Sequence, residues 1–254
     1  MFVNDIFAVV ALVTQVSNGV AVGTASGFFY ARNDRLFLVT NRHVVTGGNG
    51  IAPPDILRLR LHKSMTDLTT NVDFDVPLTH DGKRTWHDHP RYQLNQSDVA
   101  VIELDRGVLK GGYYIKALSA QNFLPANFVM QPGEDVMVIG FPRGLSDTKH
   151  NLALIRSALV SSAYGVPFNG QPYFIIDANL HPGTSGSPVL TRPKNAWNDQ
   201  AGNTNFLTGA PIYFLGIHSG TLSVRVGSAT EALGLAQVWY GNLIEEIVDS
   251  FSSR

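Results

Sequence analysis

The stretch His181-Pro182-Gly183-Thr184-Ser185-Gly186-Ser187-Pro188 carries the reading of this chain. A serine between two glycines, closed by a proline and followed by the apolar pair Val189-Leu190, suits a tight turn that enters a strand. The glycines let the backbone approach a bound group and aim its amides at one point. The N–H groups of Gly183 and Ser185 would then form a hole for the negative charge that develops on an attacked carbonyl oxygen. Alone, Gly-x-Ser-Gly also describes an ordinary turn. A serine hydroxyl that attacks carbonyls needs a base, so the rest of the chain has to supply one.

Two further segments answer that need. Phe37-Leu38-Val39-Thr40-Asn41-Arg42-His43-Val44-Val45 places a histidine just past an apolar strand. Ser97-Asp98-Val99-Ala100-Val101-Ile102 puts a carboxylate at the head of a strand that is apolar on both faces. A carboxylate so close to the core must be paired and hydrogen-bonded, and an imidazole N–H supplies such a partner. The chain order His43, Asp98, Ser185 excludes the α/β-hydrolases, which run Ser, Asp, His, and the subtilisins, which run Asp, His, Ser; only the chymotrypsin-like order fits.

The background agrees with that order. Short apolar or alternating runs recur at Val20–Tyr30, Leu36–Thr40, Ile56–Leu61, Val99–Leu104, Val136–Phe141, Leu152–Ser162, Tyr173–Asp177, Ser187–Leu190, Tyr213–Ile217, Leu222–Val226 and Leu235–Tyr240. With turn signals between them and no alternating helices, they predict an all-β barrel or sandwich. The one helical stripe is Leu243, Ile244, Ile247, Val248 and Phe251, with Asn242 and Glu245 spaced as a capping box. Lys63–Gln96 and Thr191–Thr208 read as long loops.

Composition removes other chemistries. The 254 residues contain no cysteine, which excludes disulfides, thiolate metal sites and a cysteine nucleophile. Nineteen basic and 20 acidic side chains give a net charge of −1, which argues against nucleic acid or a membrane surface as a partner. The apolar run Ile6–Val13 is far short of the roughly 20 residues a membrane helix needs. No basic residue precedes Arg32, so the start does not read as a secretory signal, and a cytoplasmic location is expected. His87-Asp88-His89 reads as a polar loop. No metal and no cofactor are expected.

The sequence resembles the trypsin-like serine peptidases of the chymotrypsin clan, in their cysteine-free bacterial branch. The resemblance rests on Gly23-Thr-Ala-Ser-Gly-Phe-Phe29, Thr40-Asn-Arg-His43-Val-Val, Asp98-Val-Ala-Val-Ile, Gly183-Thr-Ser-Gly-Ser-Pro188 and Gly216-Ile-His-Ser-Gly220. It implies two packed six-stranded antiparallel barrels: the first over about 1–120 with His43 and Asp98, the second over about 121–240 with Ser185 and the specificity pocket. A helix at 242–252 completes the unit. The implied activity is peptide-bond hydrolysis through the triad His43, Asp98 and Ser185, with the oxyanion hole at Gly183 and Ser185. The alternative is a catalytically silent relative that holds a peptide in the cleft.

For substrate binding the resemblance implies Leu180, His218, Ser219 and Gly220, the last two pairing with substrate backbone. His218 gives some likeness to glutamyl endopeptidases, in which it would contact a Glu or Gln side chain. Leu180 departs from that pattern, where a small hydroxylated residue is usual. Thr184 stands where many extracellular members carry the aspartate that pairs with a newly cut amino terminus. Activation by that salt bridge is therefore not expected, and a regulatory protein partner is one substitute for it.

Overall fold

Strict alternation builds the first half of the molecule. Strands β1 (Val10–Ser17) and β2 (Val20–Arg32) are joined at Asn18-Gly19, both with positive φ (50° and 77°), as a two-residue hairpin requires. Along β2, Phe28 and Tyr30 face one way and Phe29 the other, because strand side chains alternate. Phe28 and Tyr30 enter the core between the two halves of the molecule, and Phe29 enters the core of the first half. The computed structural model describes residues 3–48, 50–64, 66–109 and 112–252.

Five more strands follow: β3 (Arg35–Thr40), β4 (Ile56–His62), β5 (Asn71–Pro77), β6 (Trp86–Asp88) and β7 (Ala100–Leu104). They form one antiparallel seven-stranded sheet in the order β5-β4-β1-β2-β3-β7-β6. Among the described residues, the main sheet of the first half thus has seven strands where six were expected, and its ladder stays open.

The additional strand lies inside the segment read as a long loop. Lys63–Gln96 in fact contains β5, a small hairpin of Thr79–His80 with Lys83–Arg84, β6, and a helical turn at Tyr92–Asn95. Val72, Phe74 and Val76 alternate with Asp73 and Asp75, and those acids meet the arginines opposite: Arg58 Nε to Asp75 at 2.7 Å and Arg60 to Asp73 at 2.9 Å. Such cross-strand pairs fix register more than they add stability. The second expected loop, Thr191–Thr208, likewise holds a hairpin of Ala196–Asn198 with Thr204–Phe206. Trp197 stacks on Phe128 there, with ring centroids 5.2 Å apart.

The second half is a closed barrel of β8 (Asp135–Gly140), β9 (Leu154–Val160), β10 (Tyr173–Asp177), β11 (Pro188–Thr191), β12 (Phe214–Val226) and β13 (Ala229–Tyr240), in the order β8-β9-β10-β13-β12-β11. The runs read separately as Tyr213–Ile217 and Leu222–Val226 are one continuous strand, β12. The all-β architecture, the closed six-stranded barrel and the terminal helix bear out the expected fold class.

The two halves and the C-terminal helix α2 (Leu243–Ser252) share one core. Phe28 meets Phe214 at a centroid distance of 5.2 Å, and Leu243, Ile244, Ile247 and Val248 close over Val10, Phe37 and Trp239. Glu245 is not the capping residue its spacing suggested. It accepts the Tyr30 hydroxyl and pairs with Arg32 Nε at 3.1 Å, fastening the helix to β2. Asn242 instead donates to Glu246 at 3.0 Å. Among the described residues, no helix is long and apolar enough to cross a membrane.

Candidate active site

The turn after β3 delivers His43. Chain leaving the sheet at Thr40 enters the short helix α1 (Arg42–Thr46), and Asn41 ahead of it uses its side chain elsewhere, donating to the main-chain carbonyl of Asp98 at 2.7 Å. This contact ties the histidine segment to the head of β7. Two more bonds complete the join: His43 N donates to Asp98 Oδ1 at 2.8 Å, and the His43 ring Nδ1 lies 2.6 Å from Asp98 Oδ2. With Nδ1 held by a carboxylate, the ring presents Nε2 to the cleft as an acceptor.

Asp98 takes a third bond from across the molecule. The Ser219 hydroxyl, on β12, donates to Oδ2 at 2.7 Å. Burial works against the charge on Asp98, but the bonds from the His43 ring, the Ser219 hydroxyl and the His43 N–H outweigh it and hold the carboxyl below the ordinary carboxylate range.

Ser185 is half-buried at the nucleophile turn, and its conformation is set by its glycines. Gly183 has φ +95°; a Cβ there would lie 2.6 Å from both Arg143 N and Phe141 O. At Gly186, with φ +85°, a Cβ would fall 2.1 Å from Ser26 O. Neither position admits a side chain. Pro182 O accepts from Arg143 N at 2.5 Å, so the Pro182–Gly183 peptide turns its N–H to the opposite side. Within the turn, Thr184 N, Gly186 N and Ser187 N each donate to a carbonyl, whereas among the described residues Gly183 N and Ser185 N have no backbone acceptor.

The sequence reading gave no role to Ser26, which anchors this turn. Its N–H donates to Ser185 O at 2.8 Å, its hydroxyl donates to Gly183 O at 2.9 Å, and the same hydroxyl accepts from Phe141 N at 2.9 Å. Thr40 Oγ1 then donates to Ser26 O at 2.9 Å. The signal was a serine in the apolar run of β2, since a buried hydroxyl must find partners. Asn41, beside His43, carried the same kind of signal.

His43, Asp98 and Ser185 line one cleft of about 480 Å³, together with His218, Ser219 and Gly220. The Ser185 hydroxyl donates to Ser219 O at 3.1 Å rather than to His43. His218 is buried and its Nδ1 has no hydrogen-bond partner among the described residues. Burial pushes this imidazole down to about 4, with the Gln237 backbone offsetting part of the effect, so the ring is neutral at neutral pH.

Leu180 is placed elsewhere. It packs in the second-barrel core and lines a separate cavity of about 530 Å³ behind the turn, with Arg143, Arg156 and Thr184. His181 and Pro182 line the cleft in its stead. The residues of His87-Asp88-His89 diverge: His87 stacks on Phe251, Asp88 pairs with Arg42 and Arg84, and His89 bonds Glu246 at 3.0 Å.

The family model of the trypsin-like peptidase domain matches residues 25–196. The chain belongs to the trypsin-like peptidase family. It is thereby a serine endopeptidase, a hydrolase of peptide bonds. No curated protein matches the sequence. Among solved structures, this peptidase is similar to the protease Anisep from Arthrobacter nicotinovorans, with a TM-score of 0.56 at 14% identity, covering 97% of this chain and 96% of that one. It is also similar to a scabies mite inactivated protease paralogue, with a TM-score of 0.56 at 19% identity, covering 99% and 98%. A thermostable serine protease, AL20, from an extremophilic microorganism gives a TM-score of 0.53 at 12% identity, covering 99% and 100%. At these identities the likeness is one of fold.

Proposed function

We propose that the peptidase cleaves polypeptides through an acyl-enzyme on Ser185, with His43 as general base and then general acid, and Asp98 as the group that orients and stabilises the imidazolium. The observation that carries this reading is the two-point grip of Asp98 on His43, at 2.6 and 2.8 Å, in the cleft that Ser185 also lines. Substrate binding engages Ser219 O with a backbone N–H of the peptide, which releases the Ser185 hydroxyl to His43 Nε2. Ser185 Oγ attacks the scissile carbonyl carbon while His43 takes its proton. The oxyanion is received by Gly183 N–H and Ser185 N–H, which have no backbone acceptor among the described residues. Collapse breaks the C–N bond, His43 protonates the departing amine, and water, deprotonated by His43, hydrolyses the ester.

Specificity extends the same reading. The neutral His218 is one of the residues lining the cleft, which supports hydrogen bonding to a Gln or Glu side chain preceding the cut. A panel of substrates differing only in that residue tests it, and preference for Leu or Ala over Gln and Glu removes it. For the catalytic reading, Ser185→Ala is expected to abolish turnover of an optimised substrate found by profiling a peptide library. Normal turnover by that variant would overturn it.

A further inference from the structure

The cavity of about 530 Å³ behind the nucleophile turn has no part in the chemistry proposed above. It lies where two strands of the closed barrel part. β9 starts at Leu154, but its ladder with β10 takes in only Leu159 and Val160, and β10 ends at Asp177. Leu154 and Arg156 from that unpaired stretch line the cavity. Leu180, from the chain that leads to Ser185, and Pro142, Arg143 and Leu145, from the turn after β8, line it with them.

The lining defines an occupant. Pro142, Leu145, Leu154 and Leu180 are apolar, and Leu145 is 59% and Leu154 36% exposed, so apolar surface stands uncovered at the mouth. Beside it are two guanidinium groups, and no acidic residue lines the cavity. Arg156 donates to Asn179 O at 2.8 Å. Among the described residues, the Arg143 guanidinium has no hydrogen-bond or ion-pair partner. The planar fork of an arginine matches a carboxylate, and a cavity of this size takes a small organic molecule.

Arg143 also supports the nucleophile turn. Its φ of 53° and ψ of 26° place it in the left-handed region, which a residue with a Cβ rarely occupies. In that conformation its N–H donates to Pro182 O, the bond that turns Gly183 N–H to the opposite side. One residue therefore meets the cavity with its side chain and the turn with its backbone.

We propose that this cavity binds a medium-chain carboxylate, with its tail among Leu145, Leu154 and Leu180 and its head on Arg143 and Arg156. Binding holds Arg143 in the conformation that presents Gly183 N–H to the cleft, and so raises turnover. The effect on turnover rests on the reading of Gly183 N–H as an oxyanion donor; binding itself does not. A hydrocarbon tail suits walls of leucine and proline because it brings no amide that needs a partner, whereas a peptide does.

Isothermal titration calorimetry of Ser185→Ala protein with hexanoate, octanoate and decanoate reads the site without catalysis. Saturable binding of one acid per chain is expected, tightening about fourfold for each added methylene. Decanamide keeps the tail and loses the charge, and is expected to bind about tenfold more weakly or worse. Arg143→Asn tolerates the left-handed conformation, and Arg156→Gln lies on a different element; each is expected to weaken decanoate about tenfold. Either variant alone suffices where the other does not fold.

In wild type, decanoate is expected to raise kcat several-fold, half-saturating at the concentration that calorimetry gives, and to leave Arg156→Gln unaffected at that concentration. No saturable binding, equal binding of decanoate and decanamide, or binding that leaves wild-type kcat unchanged overturns the proposal. A peptide ending in Leu-Leu that binds more tightly than decanoate also overturns it, by assigning the cavity to a chain terminus. Should wild type cleave nothing, the reading of Ser185 fails while the calorimetry still decides the carboxylate site.

Discussion

The Ser219 hydroxyl donates to Oδ2 of Asp98 across 2.7 Å, on the same oxygen that faces the His43 ring at 2.6 Å. Ser219 lies on β12 in the second half and Asp98 just ahead of β7 in the first, so this bond crosses the cleft and registers one half of the molecule against the other. Its carbonyl meanwhile holds the Ser185 hydroxyl. One residue therefore touches both the orienting carboxylate and the nucleophile of the proposed mechanism.

Removing that hydroxyl isolates its effect on the acid. Ser219→Ala is predicted to lower kcat roughly tenfold, within the range for a lost hydrogen bond to a charged group. Asp98 would lose one of the bonds that hold its carboxyl down. The acid limb of the kcat/KM profile should then move to higher pH, while Ser219→Thr keeps it in place. An unmoved limb in Ser219→Ala would show that the bond does not tune Asp98.

Asp98→Asn keeps the shape of the site but cannot stabilise an imidazolium. A loss of roughly 10⁴-fold in kcat is predicted, with the fold intact by circular dichroism. Loss of only a few fold would remove Asp98 from the mechanism.

Ser26→Ala leaves Phe141 N–H and Gly183 O without their buried partner. Destabilisation of about 2 to 6 kcal/mol is predicted from denaturant melts, because each of the two orphaned buried groups costs about 1–3 kcal/mol. Unchanged stability with unchanged kcat would show that the turn does not depend on Ser26.

These partners explain where sequence reading succeeded and where it stopped. His43, Asp98 and Ser185, which the structure gathers at one cleft, stood out as candidates because a histidine, a carboxylate and a glycine-flanked serine each sat in an unusual local context and in the order His, Asp, Ser. Most strand centres were legible from apolar runs. Strand β5 was passed over although Val72, Phe74 and Val76 alternate with Asp73 and Asp75, a half-buried strand pattern, because it stands inside a long polar segment between turn signals; Arg58 and Arg60 opposite those acids fix its register. Leu180 was assigned to the pocket by its distance from Ser185 in sequence, but an apolar side chain at that register turns into the barrel core. The continuation of the β12–β13 ladder from Thr221 to Val226 was invisible for a related reason: nothing local says that a strand goes on pairing after its barrel has closed.

His218 makes stability pH-dependent. Its imidazole titrates near 4 in the folded chain and near the ordinary 6.5 when unfolded, so between those values the unfolded state binds more protons. Stability is therefore full above about pH 6.5 and is lost as pH falls toward 4, by up to about 3 kcal/mol from this group. Melts at pH 7 and pH 4.5 should show a smaller drop for His218→Gln than for wild type. Equal drops would place the pH dependence elsewhere.

The central claim is that Ser185 is the nucleophile activated by the His43–Asp98 pair. A fluorophosphonate probe read by intact mass and peptide mapping tests it most directly. One adduct per chain, on Ser185, absent from Ser185→Ala and strongly slowed in His43→Ala, is the predicted result. Undiminished labelling of Ser185→Ala, or no labelling of folded wild type, would contradict it.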